Sequence, residues 1–227
     1  MDAMRYDITA YTASFRLPGT MGYQATAPVP PPSTIFGLLS AAVGTDVGPE
    51  DVAWIAYRFT FAARATDLEK IIVHSKRGPF QDAKLGAVNS VPIKREFLYE
   101  PHLVLYLPQG TFERDLARPR FPICLGRSQD VATVERAKPT DLAAADEADL
   151  EGVLVPFPAE GRVPSSAILG LPTYMQRTTP RTPGRVGLFH VITKRQHAAT
   201  TGLYLEPGEE LAVPLLWQAM LVGGGAT

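Results

Sequence analysis

Residues 28–44 read Pro-Val-Pro-Pro-Pro-Ser-Thr-Ile-Phe-Gly-Leu-Leu-Ser-Ala-Ala-Val-Gly. Three prolines end a loop that begins near Leu17. Ser33 then stands where an N-cap belongs, because its hydroxyl can accept from a first-turn amide. Ile35, Leu38, Leu39 and Ala42 follow at helical spacing, and Gly44 offers the stop. This predicts a helix over 34–43. Gly37 inside it costs about 1 kcal/mol relative to alanine, and such a glycine often admits another backbone at close range. Upstream, Tyr6 to Phe15 is rich in Thr, Tyr, Ile and Phe and reads as a strand. Strand followed by helix therefore opens the chain.

Downstream, Pro49-Glu50-Asp51 looks like the first turn of a second short helix reaching about Ala56. Tyr57, Phe59, Phe61 and Ala63 then alternate with Arg58, Thr60, Ala62 and Arg64 at strand period. Further strand-like runs are 70–74, 93–98, 102–107, 131–136, 152–157, 186–193 and 211–216. The acidic stretch 141–151 reads as a surface helix or loop. The expected class is α+β with a largely antiparallel sheet.

Composition is that of a globular protein. The chain has 227 residues, 45% of them hydrophobic and 20% charged, which excludes wholesale disorder. A single cysteine, Cys124, excludes an internal disulfide and fits a reducing compartment. The start, Met-Asp-Ala-Met-Arg-Tyr-Asp, lacks the basic-then-apolar pattern of a signal peptide. No apolar run reaches the roughly 18 residues of a membrane span. A cytoplasmic protein is expected. The 21 prolines are scattered, so many short elements joined by rigid turns are expected.

The net charge of −1 conceals strong segregation. Residues 70–127 carry ten basic and five acidic groups, and 161–200 carry six basic and none acidic. Between them, residues 128–160 carry two basic and eight acidic groups. Polyanions respond to such local potential rather than to the total; randomly clustered solvated charge is the competing explanation. His74, His102, His190 and His197 lie far apart, and no Cys/His cluster suggests a metal site. Phosphate-loop, dinucleotide and nucleophile-elbow motifs are absent. No metal and no cofactor are expected.

Two stretches carry a resemblance. One runs from Phe15-Arg16-Leu17-Pro18 through Pro30-Pro31-Pro32-Ser33-Thr34-Ile35-Phe36-Gly37-Leu38-Leu39 to Gly44. The other is Arg95-Glu96-Phe97-Leu98, continuing to Leu107 and followed by Pro122-Ile123-Cys124-Leu125-Gly126-Arg127-Ser128-Gln129-Asp130. In this order they resemble the Cas-five family of CRISPR-associated RAMP proteins, over about residues 1–135. The resemblance implies a ferredoxin-like (RRM/RAMP) core with a protruding β-hairpin and a β-rich C-terminal part, in a single unit spanning 1–227. It also implies a subunit of a Cascade-type surveillance complex in antiviral defence. There the family caps the 5′ handle of the CRISPR RNA and contacts the large subunit and the backbone subunit. The motifs look closer to type I-B or I-A than to type I-C.

Candidate RNA-binding residues follow. In the hairpin segment 74–95, Lys76, Arg77, Lys84, Lys94 and Arg95 face only one acid, Asp82, and could clamp phosphates; a solvated surface loop is the alternative. Gly126-Arg127-Ser128 could form an anion-binding nest, with Arg127 adding a bidentate fork, or could be an ordinary turn. Arg177, Arg181 and Arg185 are spaced by four, but Pro180 and Pro183 forbid a helix, so they read as a basic loop. Lys194 and Arg195, with His197, end the strand after it. Tyr23 could stack on a base, or be half-buried.

A type I-C branch of the family cuts precursor RNA without metal, using Tyr, Lys and His. His74 with Lys76, or His190 with Lys194, could be arranged that way. The expected function is nonetheless a non-catalytic guide-RNA-binding subunit. Alternatives are a metal-independent endoribonuclease on the same fold, and a β-rich protein-interaction module without RNA.

Overall fold

The computed structural model describes residues 1–17, 22–72, 90–176, 178–179 and 181–222. Strand β1 (Asp2–Ala10) opens the chain, followed by the short β2 (Thr12–Ala13) and β3 (Tyr23–Gln24). Helix α1 spans Pro32–Val43. It starts two residues earlier than the spacing predicts. Pro31 rather than Ser33 precedes the first turn, and no side chain caps it. Pro32 supplies a pre-set φ and lacks the amide that a cap would have to satisfy. Gly44 closes the helix at φ 86°, donating its N–H to Ser40 O.

The expected second helix is a single 3₁₀ turn, Pro49–Asp51. Strand β4 (Trp54–Thr60) replaces the rest of it. The reason is burial on both faces: Ile55, Tyr57 and Phe59 enter one core, Trp54 and Ala56 the other. Such a strand reads as a continuous apolar run rather than an alternating one. Next come β5 (Ala63–Ile72), β6 (Ser90–Tyr99), β7 (His102–Pro108), α2 (Glu113–Ala117) and β8 (Ala132–Asp141). The acidic stretch is neither helix nor loop but two short strands, β9 (Ala143–Ala145) and β10 (Ala148–Leu150). The remainder is β11 (Val153–Pro156), β12 (Gly161–Arg162), β13 (Ala167–Met175), β14 (Pro183–Ile192), β15 (Gln196–Thr200), β16 (Leu203–Leu205), β17 (Val213–Trp217) and α3 (Gln218–Val222).

A seven-stranded antiparallel sheet runs β8-β1-β7-β4-β17-β16-β9. Tyr6, Ile8, Leu103, Leu105 and Leu107 on one face share a core with Ile35, Leu38 and Leu39 of α1. On the other face Val104 and Tyr106 pack with Leu142, Leu150, Val153, Ile192 and Leu203 from the C-terminal half. Two of the smaller sheets are β11-β14-β13, and β2-β6-β3 with β5 pairing β6 antiparallel from Ala63↔Tyr99 to Ile72↔Ser90. The segment 73–89, including Lys76, Arg77 and Lys84, lies outside the described residues.

An ionic strap holds residues 206–209 to the sheet. Arg5 Nη1 donates to Glu206 at 2.6 Å and to Glu209, while its other amine meets Asp7 at 3.0 Å. Arg58 reaches Glu209, and Lys138 reaches Glu206, each at 2.8 Å. Burial alone would raise the Glu206 carboxyl. Hydrogen bonds from Lys138, Arg5, Tyr106 and Thr140 outweigh it and hold the group at about 2.

Candidate nucleic-acid interface

Two of the sequence motifs meet at one residue, Glu69 of β5. Arg95 Nε of β6 lies 2.8 Å from Glu69 Oε2, without the alignment of a hydrogen bond. Arg127 Nη1 donates to Glu69 Oε1 at 2.7 Å. Arg127 also forks onto Asp130, at 2.9 Å from Nε and 2.7 Å from Nη2, and its guanidinium sits 5.8 Å over the Phe97 ring. The Asp130 carboxylate accepts the Arg127 backbone N–H at 3.1 Å as well, and the Thr12 hydroxyl at 2.6 Å. The turn thus presents donors to an anion, as its sequence suggests, and the anion they meet is Asp130.

Arg127 is not on an open surface turn. Its side chain is 10% exposed and that of Asp130 is 0% exposed. Gly126, at φ 110°, is pressed against the backbone just after β2, where an added Cβ would fall 2.0 Å from the Ser14 carbonyl oxygen. Glu96, the acid of the Arg-Glu-x-Leu motif, accepts from the Thr26 amide, the Tyr23 hydroxyl and Arg64. Its carboxyl is lowered: burial pushes it up, but those three donors prevail. The Tyr23 phenol is raised, chiefly by its bond to Glu96. Leu98 is fully buried. These motif residues are thus engaged with their own fold.

An open concavity lies elsewhere. A groove of about 390 Å³ runs along the solvent face of α1 and is lined by Ser33, Phe36, Gly37 and Ser40. Its facing wall is the end of β13 and the turn after it, with Tyr174, Gln176, Thr178, Thr179 and Arg181; Asp46 and Glu50 close one side. The wall turn is shaped by Gln176 N–H donating to Thr182 O at 2.8 Å. Gly37 faces the groove, with no atom of the described residues within 4 Å of an added Cβ. The glycine admits room for a ligand rather than a neighbouring backbone. Ser40 is committed to shape: its hydroxyl donates to Phe36 O and accepts from Val47 N–H, tying the 44–48 loop to the helix.

The structure therefore brings Arg181 to the helix that ends the first motif. Arg177 lies outside the described residues. Arg185 is in strand β14 rather than in a loop, opposite Tyr174, and its Nη1 is buried without a hydrogen-bond partner among the described residues. Lys94 is exposed on β6. Lys194 is exposed in the turn after β14, not in the strand, which ends at Ile192. Arg195 Nε and Nη1 donate to Asp149 and Glu210 at 2.8 Å each, and Asp149 chiefly raises its pKa. Ser128, in the Arg127 turn, is exposed, and its carbonyl accepts weakly from Cys124 Sγ.

Three histidines are described. His102 lies 3.3 Å from Asp7, His197 Nδ1 lies 3.1 Å from Asp149, and His190 Nδ1 lies 3.2 Å from the Ser166 hydroxyl. Among the described residues no group of His, Cys, Asp and Glu is arranged to hold a metal, and no helix is long and apolar enough to cross a membrane. The groove residues that the sequence did not reveal are Ser33, which mimics a cap, and the uncharged Tyr174, Gln176, Thr178 and Thr179. The fragment Gly170-Leu-Pro-Thr-Tyr carries only a weak signal, because Pro172 argues against a strand.

Comparison with known proteins gives the fold a context. The chain aligns over 96% of its length, at 17% identity and a TM-score of 0.56, with 97% of a chain from a CRISPR RNA-guided surveillance complex. A CRISPR protein from Archaeoglobus fulgidus aligns over 95% of this chain and 100% of its own, at 14% identity and a TM-score of 0.51. A chain of the Type III-B Cmr-beta complex bound to cognate target RNA and AMPPnP aligns over 88% of this chain and 86% of its own, at 11% identity and a TM-score of 0.55. At these identities the likeness is one of fold. No curated protein matches the sequence significantly. The family model for CRISPR-associated protein (Cas_Cas5) matches residues 4–201. With that match spanning both the α1 motif and the β13–β14 wall of the groove, the chain belongs to the Cas5 family of CRISPR-associated proteins.

Proposed function

We propose that this protein is a non-catalytic, RNA-binding subunit of a type I CRISPR surveillance complex, and that it holds the 5′ handle of the CRISPR RNA in the α1 groove. The observation that carries this reading is the juxtaposition of Ser33 and Gly37 of α1 with Arg181 of the basic 161–200 segment across one open groove. Arg181 supplies a fork for a phosphate. Ser33, Thr178 and Thr179 supply hydroxyls for sugar and phosphate oxygens. Phe36 and Tyr174 supply apolar surface beside them, and Asp46 and Glu50 suit the amino edge of a base while repelling phosphate from that side. The phosphate chain would therefore follow the Arg181 wall.

The topology supports the same reading. The chain order β1-α1-β4-β7-α2-β8, with β8-β1-β7-β4 side by side, is consistent with the split βαβ plan proposed for a ferredoxin-like core. RRM-type sheets of that plan bind single-stranded RNA on their open face; here the C-terminal half covers that face, which leaves RNA contact to the helix side. Lys76, Arg77 and Lys84 would add cations for the phosphates, and the backbone and large subunits would flank the bound handle.

The test is filter binding of the full chain to handle RNA over a salt series. Arg181→Ala should weaken binding by roughly 1.5–3 kcal/mol, as expected for a hydrogen bond to a charged group. The log–log salt slope should fall by about one. Unchanged affinity and slope in a folded variant would remove the groove from the RNA path.

A further inference from the structure

In a molecule whose charges are largely paired with one another, the α1 groove holds several polar groups that are not. Among the described residues, the side chains of Ser33, Glu50, Thr179 and Arg181 line it without a hydrogen-bond or ion-pair partner. Asp46, on the same side as Glu50, is already engaged. Glu50 is therefore the carboxylate left for a ligand. An exposed glutamate is ordinarily just solvated, but this one is held in place. Its backbone belongs to the 3₁₀ turn Pro49–Asp51, where the buried Pro49 fixes φ. The Asp51 carboxylate accepts the Gly48 N–H at 2.8 Å, and the Ser40 hydroxyl ties Val47 to α1. The Glu50 carboxylate itself lies over bare backbone: a Cβ added at Gly48 would collide with Glu50 Oε2.

The groove thus has one end for an anion and one for hydrogen-bond donors. Arg181 stands on the β13 wall, and Glu50 on the other side. A nucleotide is polar in the same sense, with phosphate at one end and a base edge at the other. The volume of about 390 Å³ is at the small end of ligand sites, roughly 300–1,000 Å³. It takes one nucleotide rather than a run. Tyr174 is a fixed wall beside it, its ring seated on Gly184, where an added Cβ would collide with the ring. The four bases meet a carboxylate differently. Guanine offers N1–H and the 2-amino group side by side, two parallel donors for the two carboxylate oxygens. Adenine and cytosine offer one amino group next to a ring-nitrogen acceptor, which sets lone pair against lone pair. Uracil offers N3–H flanked by two carbonyl oxygens, which the carboxylate repels.

We infer that the groove holds a single nucleotide and that Glu50 selects guanine there. The inference rests on RNA binding in the groove. The test is competition binding of the full chain to handle RNAs in which each position in turn is G, A, C or U. Guanosine should exceed uridine about tenfold at one position, the size of one bidentate base contact. Inosine, which keeps N1–H but lacks the 2-amino group, should lose most of that advantage there. Glu50→Gln should erase the contrast, because its amide presents a donor where guanine needs an acceptor. The melting temperature should stay at the wild-type value, since Glu50 has no partner in the fold among the described residues. Gly48→Ala crowds the carboxylate, while an extended φ of −122° admits the side chain, so the contrast should shrink there too. No position preferring guanosine, or a preference that Glu50→Gln leaves intact, would overturn the inference while the RNA reading stands. Absence of RNA binding, or affinity indifferent to Arg181→Ala, would overturn the RNA reading and the inference with it.

Discussion

Glu69 and Asp130 are the acids around which the motif arginines are organised. Arg127 binds both. Replacing it with alanine strips a fully buried Asp130 of its main counter-charge, and breaking a buried pair from one side costs roughly 3–5 kcal/mol. Arg127→Ala should therefore lower the urea midpoint strongly, read by circular dichroism; a change below about 1 kcal/mol would contradict the buried-pair role. Glu206 makes a second test at this scale. Its folded carboxyl lies at about 2, against an ordinary 4.5. A depressed carboxyl stabilises the fold above its unfolded value, and the contribution is lost as pH falls from about 4.5 toward 2. Glu206→Gln should be less stable than wild type at pH 7, with the gap constant down to about pH 5 and closing below pH 4.5. An undiminished gap at pH 2.5 would mean the ionised form is not what Glu206 contributes.

At the scale of elements, α1 is the best-posed structure for an experiment, because its Gly37 opens the groove without serving any packing need. Leucine is a better helix former than glycine, and no atom of the described residues lies within 4 Å of the added Cβ. Gly37→Leu should keep or raise the melting temperature while weakening handle RNA about tenfold by filling the groove; undiminished binding would show that RNA passes elsewhere. The helix was legible from sequence because a 3.6-residue apolar period is bracketed by proline and glycine. Strand β13 was not, because Gly170 and Pro172 sit inside it and the register with β14 slips between Pro172 and Met175. The start of β4 was obscured for a different reason: burial on both faces erases alternation. The Gly126-Arg127-Ser128 turn was legible as a donor site, but nothing local announces that Asp130, three residues on, turns back to fill it. The groove itself joins residues 33–40 to 174–181, a proximity that only the tertiary fold creates.

For the whole molecule, the segregation of charge along the chain takes on a spatial sense. Much of the acidic and basic charge is spent internally, in the Arg5–Glu206–Lys138 strap and in the Arg195–Asp149 and Arg127–Asp130 pairs. The near-neutral total is thus compatible with charge set out face by face, and at the groove a single described cation, Arg181, stands across from Asp46 and Glu50. The most direct test is crosslinking of handle RNA carrying 4-thiouridine at successive positions to the full chain, with the linked peptides sequenced. The account predicts adducts within residues 33–40 and 174–181, lost on competition with unlabelled handle. Adducts confined to the motif turn at 126–128 or to other surfaces, with none on α1, would contradict it.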